Sequence, residues 1–587
     1  MPSGTRKPRG GKSNGASAST STSISSLVSG ITLSVQESNI AQLQQFGTTQ
    51  PSLSNLDTTL SLFKEIVPAG LRGKPLALDT GYTLLGWAPK SEQSPNEGLL
   101  TIQSVSGIQQ VKAYQKTIAL QDPYAWMRHG IQPVEPFSWN YQRPDELSPT
   151  NQAYLDATAC SLVSKLKTHL GSPHFCTFYG AFRAVKDVFR YNLEDDIEDF
   201  RFSKWFWNGL DSGLFGLSVM EKRSGRVMSY DEVQKLLRPN PEFLEDDESS
   251  IDDEDDTMSI VSDSSDLEAE SLDQVFAPNE LSYELEDASN VDFPEVLDES
   301  TTLQCGSSIK TSSSIDSFSE EYTFHATFVS MPVVVVYLEQ LEQTMDSLLE
   351  TRTFSPIQRK EQSDLWSAWL FQVCAALHQL QTVYSLTHND LHTNNILWKE
   401  TDQPYLWYKS GTGQVWRVPT YGKVFCIIDY GRSIFTINKH TCISSDYDDG
   451  HDAAGMYNFG PIEDTSDPRV SPNKSFDLCR LACSMVRALY PRNPEEVPNS
   501  PVLTKERSWV VRTTQEPLFN MVWTWLRTKD GSNVLETQSG KERYPGFELY
   551  AVIASKANSA VPSTYFTNPV FQPFLYTGDV MATCIQL

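Results

Sequence analysis

Residues Thr387–Trp398 read THNDLHTNNILW. Just upstream, between about 360 and 383, Trp366, Trp369, Leu370, Val373, Leu377 and Leu380 recur at helical spacing, so the stretch opens at the end of an apolar-striped helix. Within it, Asp390 is followed five residues later by Asn395. A further 39 residues after Asp390 stands VFCIIDYGR, an apolar run expected as a buried strand that ends at Asp429, Tyr430 and Gly431. A carboxylate, an amide and a second carboxylate at the ends of buried elements are the groups that phosphoryl transfer needs. That reaction asks for a carboxylate to orient the incoming hydroxyl and for hard oxygen ligands to Mg²⁺; the rest is positioning and charge neutralisation. On this reading Asp390 is the base, and Asn395 and Asp429 hold the metal.

The surrounding chain supplies the frame. Tyr154, Leu155, Ala159, Leu162, Val163, Leu166 and Leu170 predict a helix over 148–170, closed by Pro173, with HFCTFYGAF (His174 to Phe182) as a following strand. Short alternating strands with turns are expected over 51–135, and two adjacent strand-like runs over Phe324 to Leu338. In the second of these, Val333 to Val336 are β-branched and expected to be buried on both faces. A third helix is predicted over 475–490, and PYLWYKSGTGQVWRV alternates around Gly411 to Gly413 as a hairpin. Two segments lack the apolar content to offset the entropy of ordering: the Ser-rich start, 1–50, and an acidic, Ser-rich stretch at about 235–320.

The net charge of -27 is concentrated in that acidic stretch: 241–300 holds about 23 Asp and Glu and no Lys or Arg, so the rest of the chain carries only about -4. An acidic chain is a poor match for sequence-independent nucleic-acid binding, which sets cations against phosphate, and none is expected. Basic partners for the acidic segment are expected instead. Arg6, Lys7, Arg9 and Lys12 form a small basic arm, read either as a solvated tail or as a contact for an acidic partner. Nine scattered cysteines without a C-x-x-C pair point to reduced thiols. The longest apolar run, Met331 to Leu338, is strand-sized, so no membrane span is expected.

The set H-x-D-L-x-x-x-x-N followed by a strand and D-Y-G resembles the H-R-D-L…N and D-F-G motifs of protein kinases. ALQDPYAWMRHG, SPHFCTFYGAF, THNDLHTNNILW, VPTYGKVFCIIDYGRSI, SFDLCRLACS and YPGFELYAVIA are similar to one atypical branch, the predicted kinases of large DNA viruses. The resemblance implies a two-lobed α+β fold. A small strand-rich lobe would cover about 80–338, with the acidic insertion looping out of it, and a mainly helical lobe about 339–575. It implies Mg-ATP as cofactor and Ser/Thr hydroxyls of protein substrates as acceptors; the lack of targeting signals points to an intracellular setting, cytoplasm or nucleus, or a virion if the viral likeness is real. By the same resemblance His388 supports the loop, Tyr337, Leu338, Glu339 and Gln340 edge the adenine pocket, and Asp477 holds the catalytic loop through backbone hydrogen bonds.

The departures from that pattern are specific. No G-x-G-x-x-G is present; Thr80 to Trp87 and Ser104 to Gly107 are weak stand-ins. The ATP lysine is Lys116 or Lys112, which strand alternation puts on one face, with Lys116 preferred because it abuts the TIALQDP phrase. The helix at 148–170 offers Asp156 in place of the glutamate that pairs with it. His392 replaces a lysine beside the base, and Asn389 an arginine that reads a phosphorylated loop. These departures keep two alternatives open: a binding scaffold without turnover, and a kinase of a small hydroxyl compound.

Overall fold

The computed structural model describes residues 31–245, 321–579 and 583–587, apart from 92–93, 131–132, 134–136, 141, 195 and 350–355. Helix and strand contribute 29% each, which makes the chain a mixed α+β protein. It divides into two compact units, Met1–Tyr191 with Thr327–Leu587, and Asn192–Ala326.

Among the described residues nine strands precede residue 340: β1 (Val35–Glu37), β2 (Leu53–Asp57), β3 (Leu76–Leu78), β4 (Thr83–Pro89), β5 (Glu97–Ser104), β6 (Gly107–Ala119), β7 (Phe178–Asn192), β8 (Gly216–Glu221) and β9 (Tyr322–Glu339). Six lie side by side in the order β2-β7-β9-β6-β5-β4. The two runs expected between Phe324 and Leu338 form a single strand, β9. Ser330, in the left-handed region at φ 59°, is the irregular residue between them. Val333 to Val336 are fully buried. The antiparallel register of β6 on β9, Lys116 opposite Val336 and Gln115 opposite Tyr337, assigns the two faces. Val334, Val336 and Leu338 join the main core on the Lys116 side. Tyr337 points the other way, where its ring meets Phe46, Trp87 and Phe182 and its hydroxyl accepts from Gln50 and Gln115.

That second face corrects the expectation of an unstructured arm through residue 50. Residues 31–50 contribute β1 and the helix Ile40–Gly47, with Leu33, Leu43 and Phe46 buried. A few well-placed apolar anchors outweigh a Ser- and Gln-rich composition. Residues 1–30 lie outside the described residues. The sheet likewise begins at Leu53, upstream of the expected boundary at 80.

In the second unit, the helix Lys204–Asp211 and the helix Tyr230–Leu237 surround Phe206, Trp207, Phe215, Val219 and Val233. Ser229 and Glu232 form a capping box at the second helix. Structure therefore continues past the expected start of the acidic insertion at 235; residues 246–320 lie outside the described residues.

Four helices and a small sheet build the site's floor. The helix Gln152–His169 is buried nearly all round, and the Asn151 side chain caps its start. The helix Pro356–Tyr384 runs against β13 (Lys423–Ile427), which pairs with β10 (Ile396–Glu400). Between these two strands, β11 (Tyr405–Lys409) and β12 (Val415–Pro419) form the expected hairpin. Gln372, from the long helix, accepts from the Phe425 N–H and donates to the Lys423 carbonyl, both at 3.1 Å, so β13 is fixed along its length. His174 adds a third tie: Nδ1 donates to the Phe425 carbonyl and Nε2 accepts from the Tyr408 hydroxyl, each at 2.8 Å. Burial lowers this imidazole's pKa to about 4, so it stays neutral. The helices Phe476–Leu489 and Glu548–Lys556 complete the floor. No helix among the described residues is long and apolar enough to cross a membrane.

Candidate active site

At the C-terminal half of β6, the Lys116 ammonium reaches two carboxylates. Its Nζ lies 3.1 Å from Asp156 Oδ2 and 2.9 Å from Asp429 Oδ1. Asp156 belongs to the helix Gln152–His169 and is 1% exposed. Its other oxygen accepts from the Tyr430 N–H at 2.8 Å, so one side chain ties the sheet lysine to the turn after β13. Aspartate is short, and the approach of helix to strand makes up for the missing methylene. Burial works against the charge on Lys116, but Asp156 and Asp429 outweigh it and raise the lysine's pKa. Burial pushes the Asp156 carboxyl up, against the pull of Lys116. Asp429, whose side chain is about half exposed (49%), is held down to about 2 by the Lys116 ammonium. Its backbone is left-handed (φ 65°), a conformation aspartate tolerates better than most residues and one that concentrates at functional turns. Gly431 is required two residues on: a Cβ there would meet the Gln152 side chain at 2.8 Å.

The Thr387–Asn395 loop lies against that turn. Thr387 and Ile434 exchange backbone hydrogen bonds at 3.0 Å. His388 Nε2 donates to the Ile428 carbonyl at 2.8 Å, and the Ile428 N–H donates to the Asn395 carbonyl at 3.0 Å. From below, the fully buried Asp477 accepts from the His388 N–H (3.0 and 3.2 Å) and the Asn389 N–H (3.0 Å). Asn389 is left-handed (φ 65°); its amide donates to the Arg432 carbonyl and its oxygen accepts from the Tyr457 hydroxyl. Where an arginine would read a phosphate, neutral hydrogen bonds already hold the segment after Asp429.

Asn395 Nδ2 donates to the Asp390 carbonyl at 2.8 Å and lies 3.1 Å from His392 Nε2. His392 Nδ1 accepts from the Asn394 N–H at 3.3 Å, and Asn395 Oδ1 takes part in none of these bonds. Burial lowers the His392 pKa, although Asp390 opposes it. The Asp390 carboxylate receives a hydrogen bond from the Tyr550 hydroxyl at 2.8 Å.

Lys116, Asp156 and Asp429 border a cavity of about 510 Å³ whose rim also carries Gln121, Asp446 and Asp452. Burial, only partly offset by Arg432, raises the Asp446 carboxyl to about 6. Among the described residues no cluster of three or more His, Cys, Asp or Glu side chains is poised for a metal ion.

The remaining expected residues are not gathered there. Lys112 is exposed, and its carbonyl accepts from the Gln340 N–H at 3.3 Å. Tyr337 faces the opposite side of the sheet, because strand alternation separates it from Lys116, so it does not edge the Lys116 side. Leu338 shares the Lys116 face, but neither it, Glu339 nor Gln340 lines the cavity. Glu339 instead binds Lys167, Lys399 and Thr177, and is held down to about 2: burial opposes this, and the two ammonium groups prevail. Gln340 donates to Glu97 at 2.9 Å. Of the two glycine-loop stand-ins, Ser104–Gly107 is the β5–β6 turn, nine residues along β6 from Lys116 and so roughly 30 Å away. Of Thr80 to Trp87, only Thr80 to Tyr82 precede β4, and Thr83 to Trp87 belong to the strand. The turn at the level of Lys116 joins β4 to β5: Asn96 accepts from the Gln115 N–H at 2.7 Å, and Lys90–Asn96 contains no glycine.

Tyr550, Tyr457, Arg432 and Asp446 entered no sequence-based site. Of these, Arg432 lies in VPTYGKVFCIIDYGRSI and Tyr550 in YPGFELYAVIA, and no spacing relates Tyr550 to Asp390, 160 residues earlier. No protein-family model and no curated protein matches this chain.

Proposed function

We propose that this chain is an atypical kinase of two-lobed protein-kinase type, which transfers the γ-phosphoryl group of Mg-ATP to Ser or Thr hydroxyls of protein substrates. The sheet that carries Lys116 would form the small lobe and the helices around Thr387–Asn395 the large one. The observation that carries this reading is Lys116, from the sheet, bound to Asp156 from a helix and to Asp429 beside the Asp390 loop. Three elements distant in sequence converge on one ammonium, next to a carboxylate and an amide held by fixed backbone.

The residues suit the cofactor. Mg²⁺ needs only one or two protein oxygens, because waters and phosphates fill its octahedron. Asp429, kept ionised and half exposed, and Asn395, with its amide oxygen unused, would hold it; Lys116 would meet the phosphates. Bound Mg-ATP supplies the transferable phosphoryl group and an electrophilic phosphorus. Asp390 would take the proton of the acceptor hydroxyl as its oxygen replaced ADP on that phosphorus.

The test is transfer from γ-labelled ATP with Mg²⁺ to a degenerate Ser/Thr peptide library, comparing the chain with Asp390→Asn. Transfer that falls at least about a hundredfold in the variant supports the reading, that being the usual weight of a general base. A second reading, a binding scaffold without turnover, is favoured by the absence of a G-x-G-x-x-G and by Asp156 and Asn389 in place of a glutamate and an arginine. Saturable Mg-ATP binding with no transfer in either protein selects it.

A further inference from the structure

The Tyr550 hydroxyl donates to Asp390 Oδ1 at 2.8 Å. A base that is to take a proton must itself receive a hydrogen bond of 2.6–3.2 Å from the reacting hydroxyl. Tyr550 therefore makes, with one of the two carboxylate oxygens, the kind of contact that an acceptor would make. The residue is firmly held. Its ring stacks on Phe547 (5.5 Å between centroids, 9° between planes), lies 6.1 Å from the Phe476 ring, and carries the Arg480 guanidinium 5.0 Å from its centroid. The helix that bears it, Glu548–Lys556, is tied at its far end by Asn473, whose amide reaches the carbonyls of Ile553, Ala554 and Ala557.

We infer that Tyr550 is a resident occupant of an acceptor position on Asp390, and that a hydroxyl acceptor reaches Oδ1 of the base only by displacing it. The inference rests on the phosphotransferase reading and deepens it, for it names the residue that sets access to the acceptor site. A phenol anchored by stacking is a poor acceptor itself: burial raises its pKa, and Asp390 adds to that effect, so the nucleophilic phenolate is disfavoured. An incoming Ser or Thr hydroxyl, or water, competes with it for one carboxylate oxygen. The competition raises the acceptor's KM without touching the nucleotide side, where Lys116, Asn395 and Asp429 lie.

The experiment uses Tyr550→Phe in the full chain, which keeps the ring and its stacking and removes only the hydroxyl. Mg-ATP affinity, Mg-ATP hydrolysis with water as acceptor, and transfer to the degenerate Ser/Thr library are measured in parallel. The expected result is a rise of about tenfold in hydrolysis and in kcat/KM for the library, the size of one hydrogen bond to a charged group, with Mg-ATP affinity unchanged. The gain must vanish in the Asp390→Asn/Tyr550→Phe double variant; a gain that persists there overturns the inference. So does a fall in kcat at unchanged KM, which would make Tyr550 a brace for Asp390, and so does label mapped onto Tyr550 itself. Unchanged acceptor kinetics with Mg-ATP still bound defeats this inference alone. Failure of both proteins to bind Mg-ATP defeats the phosphotransferase reading and the inference together.

Discussion

Asp156 and Asp477 perform the same task at opposite ends of the site by different chemistry. Each is a helix carboxylate withdrawn from water, 1% and 0% exposed, and each braces a loop. Asp156 holds the Asp429 turn through one N–H and an ammonium brought from the sheet. Asp477 holds the Asp390 loop through the N–H groups of His388 and Asn389, and no ion pair to it occurs among the described residues. The Lys116 end is therefore assembled from side chains whose charges must meet, and one substitution can strand a buried charge. At the Asp390 end the donors are backbone, present whatever side chains stand at 388 and 389. Charge carries the first end, and fixed dipoles the second.

The sharpest way to break this contrast is to remove the ammonium. Lys116→Met leaves Asp156 buried with no cation beside it, only the Tyr430 N–H and the weakly donating Cys160 thiol. Breaking one partner of a buried pair costs about 3–5 kcal/mol, far more than the intact pair contributes over an apolar substitute. Urea unfolding at neutral pH measures it. Adding Asp156→Leu should recover most of the loss, since the stranded charge goes with it. A single substitution costing under about 1 kcal/mol would mean that the Lys116 end does not depend on charge.

Asp477→Asn is the matching test at the other end and should cost less, about 2 kcal/mol. One carbonyl acceptor survives, while a charge-assisted bond becomes a neutral one and the new NH₂ faces a donor. The same urea titration, with an unchanged slope, checks it. A cost above that of Lys116→Met would invert the ranking and make the backbone-held end the more fragile.

The two ends also differed in how far they could be read from sequence. Asp390, Asn395 and Asp429 lie at ends of strongly patterned elements, so their spacing carries their chemistry. Asp156 was legible through its place on a helix, although it lacked the expected glutamate's reach; its burial and its 3.1 Å contact depend on how closely helix and sheet pack, which spacing does not encode. Alternation could not choose between Lys112 and Lys116, four residues apart on one face, and tertiary placement separates them. Tyr337 misled because an all-apolar strand buried on both faces gives no sign of which side chains point where, whereas the β6 register decides it. The ordered stretch before residue 50 was hidden by composition, since Leu43 and Phe46 anchor it against a face not identified from the sequence. Tyr550 reaches Asp390 through a fold-level approach of two distant segments, and only the three-dimensional packing reveals it.

The smallest expected effect lies on the rim of the Lys116 cavity and tests whether charge there is costly as well as useful. Asp446 has an ordinary value of 3.8 and is raised to about 6 in the folded chain, first by burial, with Asp452 and Asp122 adding to it while Arg432 and His451 oppose. Between about pH 4 and pH 6 the folded protein thus keeps a proton that the unfolded chain has released. Stability contributed by this group is fully present below about pH 4, falls as pH rises through 6, and stays at the lower level beyond. Asp446→Asn removes the dependence, because an amide never ionises. The variant should match the parent near pH 4 and exceed it by about 1–2 kcal/mol at pH 7, less than the full shift implies because the site is partly solvated. Urea midpoints at the two pH values measure both quantities. Equal stability at pH 7 would place the Asp446 carboxylate in contact with enough water or Arg432 to be ionised freely, and the electrostatic cost at the Lys116 end would then rest on Asp156 alone.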